Sequence, residues 1–438
     1  MPRKATLTLL PVIGAGLAAT AAVKTIFRAA ERPSWPPPDD AITPEGAMEA
    51  VAAFARGAPT PRDVGLPYAW STAASVEPWA TGAEFYPRIL ADVAAATTSI
   101  HILMFGWKPG TPASALVGVL LDKLRQGVEV KILVDEFGSR PYSSSEDMYR
   151  ELAAAGAEIA VNSFVPPRRV GRYPSDDTVW PGSLLVRADH RKLYVIDGEV
   201  AWTGGAGIED HFGDGRFFDV MVRVTGDIVR QAQAVFVTSL AGHGIAPPHD
   251  LGAAFPAPAD AGSMPAALTQ VVDGGHVSAT QAARALIDGA SRRLDIMNPY
   301  LTDRDMIDRI IAAARRGAAV RVVVSETSNN ALATYALRHH YERLTAAGIE
   351  IWEFPDAVVH AKLIAADDHV QFGTLNLDAW ALYRNFEIAM VVEDAGTADR
   401  FAEHVFAPAI EQSRPGRPRP GVGERAFGIV ANGISHFL

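Results

Sequence analysis

Two short stretches of this chain carry the same three residue types at the same spacing. His190, Lys192 and Asp197 form one, and His360, Lys362 and Asp367 form the other. On an extended strand, residues two apart share a face, so each imidazole projects beside an ammonium. A His beside a fixed cation suits a phosphodiester. The Lys neutralises non-bridging oxygens, while the His attacks phosphorus or protonates the leaving oxygen. Small residues follow each motif: Gly204 and Gly205 in the first, Gly373 and Thr374 in the second, with Asn376 close behind. Small residues let backbone N–H groups approach an anionic oxygen, so these positions are expected to bind the substrate phosphate. An acid comes next. Asp219 follows His190 by 29 residues, and Glu387 follows His360 by 27. Either acid can accept a proton from the far ring nitrogen of a His, fixing its tautomer and stabilising the imidazolium.

Asp197 and Asp367 are read as turn or packing residues. Metal ligation by the motif histidines is disfavoured, because the adjacent lysines repel a cation and the motifs lack acidic co-ligands. No metal and no cofactor is expected. His101, His211, His339, His340, His369 and His404 have no counterpart at an equivalent repeat position and are read as structural or surface residues.

The elements that must position these groups alternate along the chain. Residues 85–96 read as a helix, 99–105 as a strand and 117–125 as a helix ended by Gly127. Residues 128–134 follow as a buried strand. Such βαβ patterning predicts a largely parallel sheet covered by helices. The pattern then recurs. Residues 127–136 match 317–326, residues 154–159 match 346–351, and the first motif matches the second. The offset falls by 22 between the last two matches, so the first half carries about that many extra residues between Ala160 and His190. This insertion holds Pro166, Pro167, Arg168, Arg169 and Arg172. A long irregular segment just before a functional strand reads as a lid or substrate loop.

With its doubled motif and small-residue turns, the chain resembles the phospholipase D superfamily. Its second half looks like bacterial cardiolipin synthases, through Asn298, Pro299 and Tyr300, the run from Gly373 to Asp378, and Asn385, Phe386 and Glu387. The resemblance covers about residues 82–412. It implies an α/β fold of two homologous α-β-α phospholipase D-type domains, related by pseudo-two-fold symmetry, with one active site at their interface. It also implies metal-free chemistry through a covalent phosphohistidine, with His190 as nucleophile and His360 as general acid. Two positions depart from the pattern. Gly207 stands where the first half would carry a phosphate-binding Asn, and Ala381 where the second half usually has Ser. The spacing from Asp367 to Gly373 is one residue short.

The expected organisation is an N-terminal anchor or signal segment over residues 1–32, a linker over 33–81 and a first phospholipase D-like domain over 82–240. A linker over 241–267, a second such domain over 268–412 and a basic, apolar tail over 413–438 complete it. The 19 residues from 5 to 23 carry no charge, close to the length that spans a bilayer. They read as an uncleaved membrane anchor, with signal cleavage and export, or a soluble helix, as alternatives. The tail combines Arg414, Arg417 and Arg419 with an apolar stretch, so it either meets an anionic membrane surface or packs on the second domain. Hydrophobic content of 48% rules out wholesale disorder, and the absence of cysteine rules out thiol chemistry. A net charge of -10 argues against a general nucleic-acid binder. Phosphatidyl transfer or hydrolysis on a phosphatidylglycerol-like phospholipid is the leading expectation. Trp107, Trp180 and the insertion would line the acyl entrance. A superfamily nuclease and a non-catalytic membrane scaffold are the alternatives.

Overall fold

A computed structural model of the chain describes residues 41–55, 68–163, 168–172, 178–179, 187–243, 245, 248, 250–272, 276–417 and 422–433. The uncharged run over 5–23, Trp180 and much of the insertion lie outside the described residues. Among the described residues, no helix is long and apolar enough to cross a membrane.

Two mixed sheets carry the fold. The first runs from Ser75–Ala80 through Val220–Thr225, Val200–Gly204 and Lys192–Ile196 to Ser99–Met104, Glu129–Asp135 and Glu158–Asn162, with two short strands beyond. The second runs from Met264–Val272 through Glu387–Glu393, His369–Gly373 and Leu363–Ala366 to Arg293–Met297, Ala319–Ser325 and Glu350–Phe354. Strand for strand the order is the same, so the sequence repeat is a structural repeat.

The sheets are not largely parallel, as the βαβ patterning had suggested. Among the described residues, only three strands in each of the two sheets run parallel, those joined by helices. The motif strand, its hairpin partner and the acid-bearing strand are all antiparallel. A parallel neighbour needs a crossover of a dozen or more residues, and the chain leaves none here. It turns back at Asp197 and Gly198, which take the left-handed φ values of 53° and 68°.

That turn explains the motif aspartates. The Asp197 carboxylate accepts the backbone N–H groups of Thr97, Thr98 and Ser99 and both threonine hydroxyls at 2.7–2.9 Å. Asp367, at φ 52°, accepts the amides of Ser291, Arg292 and Arg293 and the Ser291 hydroxyl at 2.8–2.9 Å. Each Asp ties the far end of its motif strand to the start of the next strand. Partial burial pushes the Asp367 carboxyl up, but these donors outweigh it and hold the pKa at about 2.

Between the sheets lies the helix Ile228–Gly242, buried on nearly every face. One apolar cluster joins Leu103, Leu193 and Val195 of the first half to Leu363, Ala365 and Phe372 of the second. Each half adds an outer core of its own. A single segment stitches the two sheets, since Ser71–Ala73 pairs with the second and Ser75–Ala80 with the first. The first sheet therefore takes in residues ahead of 82. Pro78 is tolerated there because the strand is an edge. Met264–Val272 likewise begins within 241–267. Close packing of the shared core fixes how one motif faces the other.

Candidate active site

Each motif histidine is held by backbone from the opposite half. The His190 amide donates to the Phe386 carbonyl at 3.0 Å, and the Phe386 amide donates to Ala188 at 2.9 Å. The His360 amide donates to the Phe218 carbonyl at 2.7 Å, where Phe217–Phe218 runs parallel to Val358–Val359. Phe386 precedes Glu387 and Phe218 precedes Asp219, so the same contacts deliver the acids.

The acids cross over. Glu387 of the second half meets Nδ1 of His190 at 3.0 and 3.1 Å, and Asp219 of the first half meets Nδ1 of His360 at 2.7 Å. Exchanging the halves exchanges one pair for the other. A carboxylate on Nδ1 makes that nitrogen the donor and leaves the Nε2 lone pair for chemistry. Both acids are fully buried, and both imidazoles are about nine-tenths buried. Both rings line one cleft of about 710 Å³.

Glycine and threonine near the acids pack closely against that crossing. A Cβ on Gly205 would lie 2.3 Å from an Asp219 carboxylate oxygen and 2.7 Å from the His360 carbonyl. One on Gly204 would lie 2.1 Å from the Val220 carbonyl, and one on Gly373 2.4 Å from that of Ile388. Thr374 stands where Gly205 does, and its hydroxyl donates to Glu387. None of the four lines the cleft. Their small size lets the acid-bearing strand approach closely.

Asn376 does line the cleft. It is 5% exposed, and its carbonyl oxygen has no hydrogen-bond partner. Its counterpart Gly207 has no room for a side chain, since a Cβ there would lie 2.5 Å from the Gly106 carbonyl. Of these two equivalent positions, only the second carries an amide. Ala381 belongs to the second half's core and not to the cleft, so that departure leaves the site untouched.

The lysines sit under the rings. Lys192 Nζ donates to the His190 carbonyl at 2.7 Å. Lys362 Nζ donates to the His360 carbonyl and lies 3.0 and 3.2 Å from the two ring nitrogens. Burial pushes Lys192 down to about 8 and Lys362 down to about 7. Burial also raises Asp219 to about 6 and Glu387 to about 8. Both imidazoles are held well below the usual His value, first by burial and then by the two lysines. A neutral imidazole is the form a nucleophile needs.

Further residues line the cleft beside the motif groups. Lys108 pairs with Glu209 at 2.8 Å, and Tyr300 donates to Asn329 at 2.6 Å. His211, read as structural, lines the cleft with its ring centroid 4.3 Å from both Phe212 and Phe217. Glu209 was findable: it stands four residues after Gly205, as Asp378 does after Thr374. Trp107, placed at the acyl entrance by the sequence reading, is instead fully buried in the first half's core.

Comparison with known proteins places the chain in a family. The family described as "Cardiolipin synthase, PLD-like domain" matches residues 89–236 and 283–407. Cardiolipin synthase A of Pectobacterium atrosepticum is 28% identical over 327 residues, covering 70% of this chain and 63% of that protein. The probable cardiolipin synthase YwiE of Bacillus subtilis is 26% identical over 384 residues, covering 83% and 73%. The chain thus spans 63% of the length of the first relative. A crystal structure of phosphatidylserine synthase from Haemophilus influenzae shares the fold, at a TM-score of 0.62 and 14% identity. It covers 90% of this chain and all of that one.

Proposed function

We propose that this chain, which belongs to the cardiolipin synthase family of PLD-like proteins, transfers phosphatidyl groups between phospholipids through a covalent phosphohistidine. The observation that carries the reading is the pair of crossed His–carboxylate contacts, His190 with Glu387 and His360 with Asp219, facing one cleft.

In the first step Nε2 of His190 attacks the phosphorus of a phosphatidylglycerol-like lipid. The P–N bond forms as the P–O bond to the headgroup breaks, and the departing oxygen takes a proton from His360. In the second step His360 removes a proton from an acceptor hydroxyl. Its oxygen bonds to phosphorus, and the P–N bond breaks. A second phosphatidylglycerol as acceptor yields cardiolipin and leaves glycerol from the first step; water as acceptor yields phosphatidic acid. Lys192, Lys362 and the side-chain amide of Asn376, donating through its NH2, surround the phosphate, whose negative charge restores the proton affinity that burial and the lysines take from His360. The role of His190 as nucleophile follows the family resemblance. Residues 5–23 tether the chain to the bilayer that holds its substrate.

Incubating the purified chain with phosphatidylglycerol, with and without a primary alcohol, tests the reading through the lipid products. His190→Ala and His360→Ala should each abolish turnover. Acid-quenched labelling followed by peptide mapping identifies which ring carries phosphorus. Absence of any lipid product, alongside cleavage of DNA, would replace the reading with that of a nuclease.

A further inference from the structure

Five large apolar side chains stand exposed among the described residues: Trp70, Phe137, Phe427, Ile429 and Val430. Three of them fall within four positions of the helix Val422–Gly433. At helical spacing Ile429 and Val430 lie on the side away from the residues the helix buries, Gly428, Ala431 and Asn432, while Phe427 sits at the boundary between the two faces. That inner face is fitted to the body. The Phe427 ring sits edge-on to Tyr335 with centroids 4.9 Å apart, and a Cβ on Gly428 would lie 3.2 Å from the Tyr335 carbonyl. Asn432 bonds Nε2 of His340 at 2.9 Å and accepts from Arg304. The helix is therefore docked, with an apolar outer face left to meet something else.

Its position says what. The helix packs along Ala331–Arg338, whose N-cap, Asn330, lines the active-site cleft together with Asn329. Tyr335 is five residues further on, about 7.5 Å along the axis. From the other half, Phe137 lines the same cleft while 56% exposed, and it leans on Phe105, which packs against His190 with ring centroids 4.8 Å apart. An exposed apolar side chain of the first half thus lines the cleft, and an exposed apolar helix of the second half packs along the element whose start lines it. Arg414 and Arg417 stand exposed on the segment leading into the helix. Apolar residues beside exposed arginines are the composition of an element lying in an anionic bilayer interface.

We propose that the helix Val422–Gly433 lies in the interface of an anionic bilayer and, with Phe137, seats the cleft mouth on the membrane, so that a lipid presents its phosphate without leaving the leaflet. The inference rests on the phospholipid reading of the site.

The test compares the full chain with an Ile429→Asp/Val430→Asp variant on two substrates: a short-chain phosphatidylglycerol dispersed as monomers, and vesicles of long-chain phosphatidylglycerol. The variant should lose at least about tenfold in kcat/KM on vesicles and stay within about twofold on monomers. Turnover of the monomers reports that the variant is folded. Equal losses on both substrates, or no loss on either, would overturn the inference while leaving phosphatidyl transfer intact. So would loss of a dimer in light scattering with vesicle turnover unchanged, which would assign the face to a second copy. Failure of the unaltered chain to turn over either substrate would sink the phospholipid reading itself.

Discussion

Glu387 shows how much one side chain is asked to do. Its carboxylate holds Nδ1 of His190 and accepts the Thr374 hydroxyl while fully buried. In Glu387→Gln the amide N–H is placed to donate to Nδ1, which traps the proton on Nε2 where the nucleophile needs a lone pair. Turnover should fall on the order of 10³–10⁴-fold. Stability should move the other way. Burial raises this carboxyl from its ordinary range to about 8, so between about 4.5 and 8 the folded His190–Glu387 pair keeps, shared between ring and carboxylate, a proton that Glu387 of the unfolded chain has lost. Glu387 therefore contributes stability at low pH that is lost as pH rises through its folded value, and Gln carries no such slope. Tm of Glu387→Gln relative to the unaltered chain should climb as pH rises from about 4.5 to 8, measured by calorimetry. A flat difference would mean that the carboxylate is fully compensated by Lys192. The imidazoles, ammoniums and acids were all legible in the sequence, because each group sits at a fixed covalent spacing in both halves. Which acid serves which ring was not, because that pairing crosses an interface. The packing role of the small residues was hidden for the same reason: a group that needs the space at Gly205 is Asp219, and only the sheet brings it there.

Strand and helix alternation was legible wherever apolar period and punctuation agreed, as at Ser99–Met104 and Glu129–Asp135. Strand direction was not. A fully buried strand reads alike whether its neighbour is parallel or antiparallel, and Lys192–Ile196 is buried at every position. The deciding information lay in the turn, in Asp197 and Gly198, whose left-handed conformations close a hairpin. Asp197→Ala removes the acceptor of five hydrogen bonds and puts a side chain with no local partner at positive φ. The cost should be about 3 kcal/mol, seen as a lowered midpoint in denaturant at unchanged slope. Turnover well below the midpoint should be nearly unchanged, because His190 is anchored at the other end of its strand by the Phe386 carbonyl. An equal loss of activity at low temperature would show that the turn positions the imidazole.

At the scale of the molecule, neither half owns an active site. The first supplies His190 and Asp219, the second His360 and Glu387, and each ring takes its carboxylate from the other side. The central core is shared in the same way, and Ser71–Ala73 of the N-terminal side completes the edge of the second sheet. The repeat in the sequence announced two units but could not say how closely they are joined, because intermixed core residues lie far apart along the chain. The exposed segment after Pro256, which itself packs against Gly198, is the place to cut. A chain divided between Pro258 and Ala259 leaves every strand whole and keeps both motifs on separate pieces. The two pieces, expressed together, should copurify and turn over phosphatidylglycerol. Each alone should be inactive, having one imidazole without its acid. Combining a first piece bearing His190→Ala with an unaltered second piece should stay inactive, because one intact half cannot supply both the nucleophile and the acid. Activity in either isolated piece would mean that a site assembles between two copies of one half, and the crossed pairing would then be a matter of architecture rather than of catalysis.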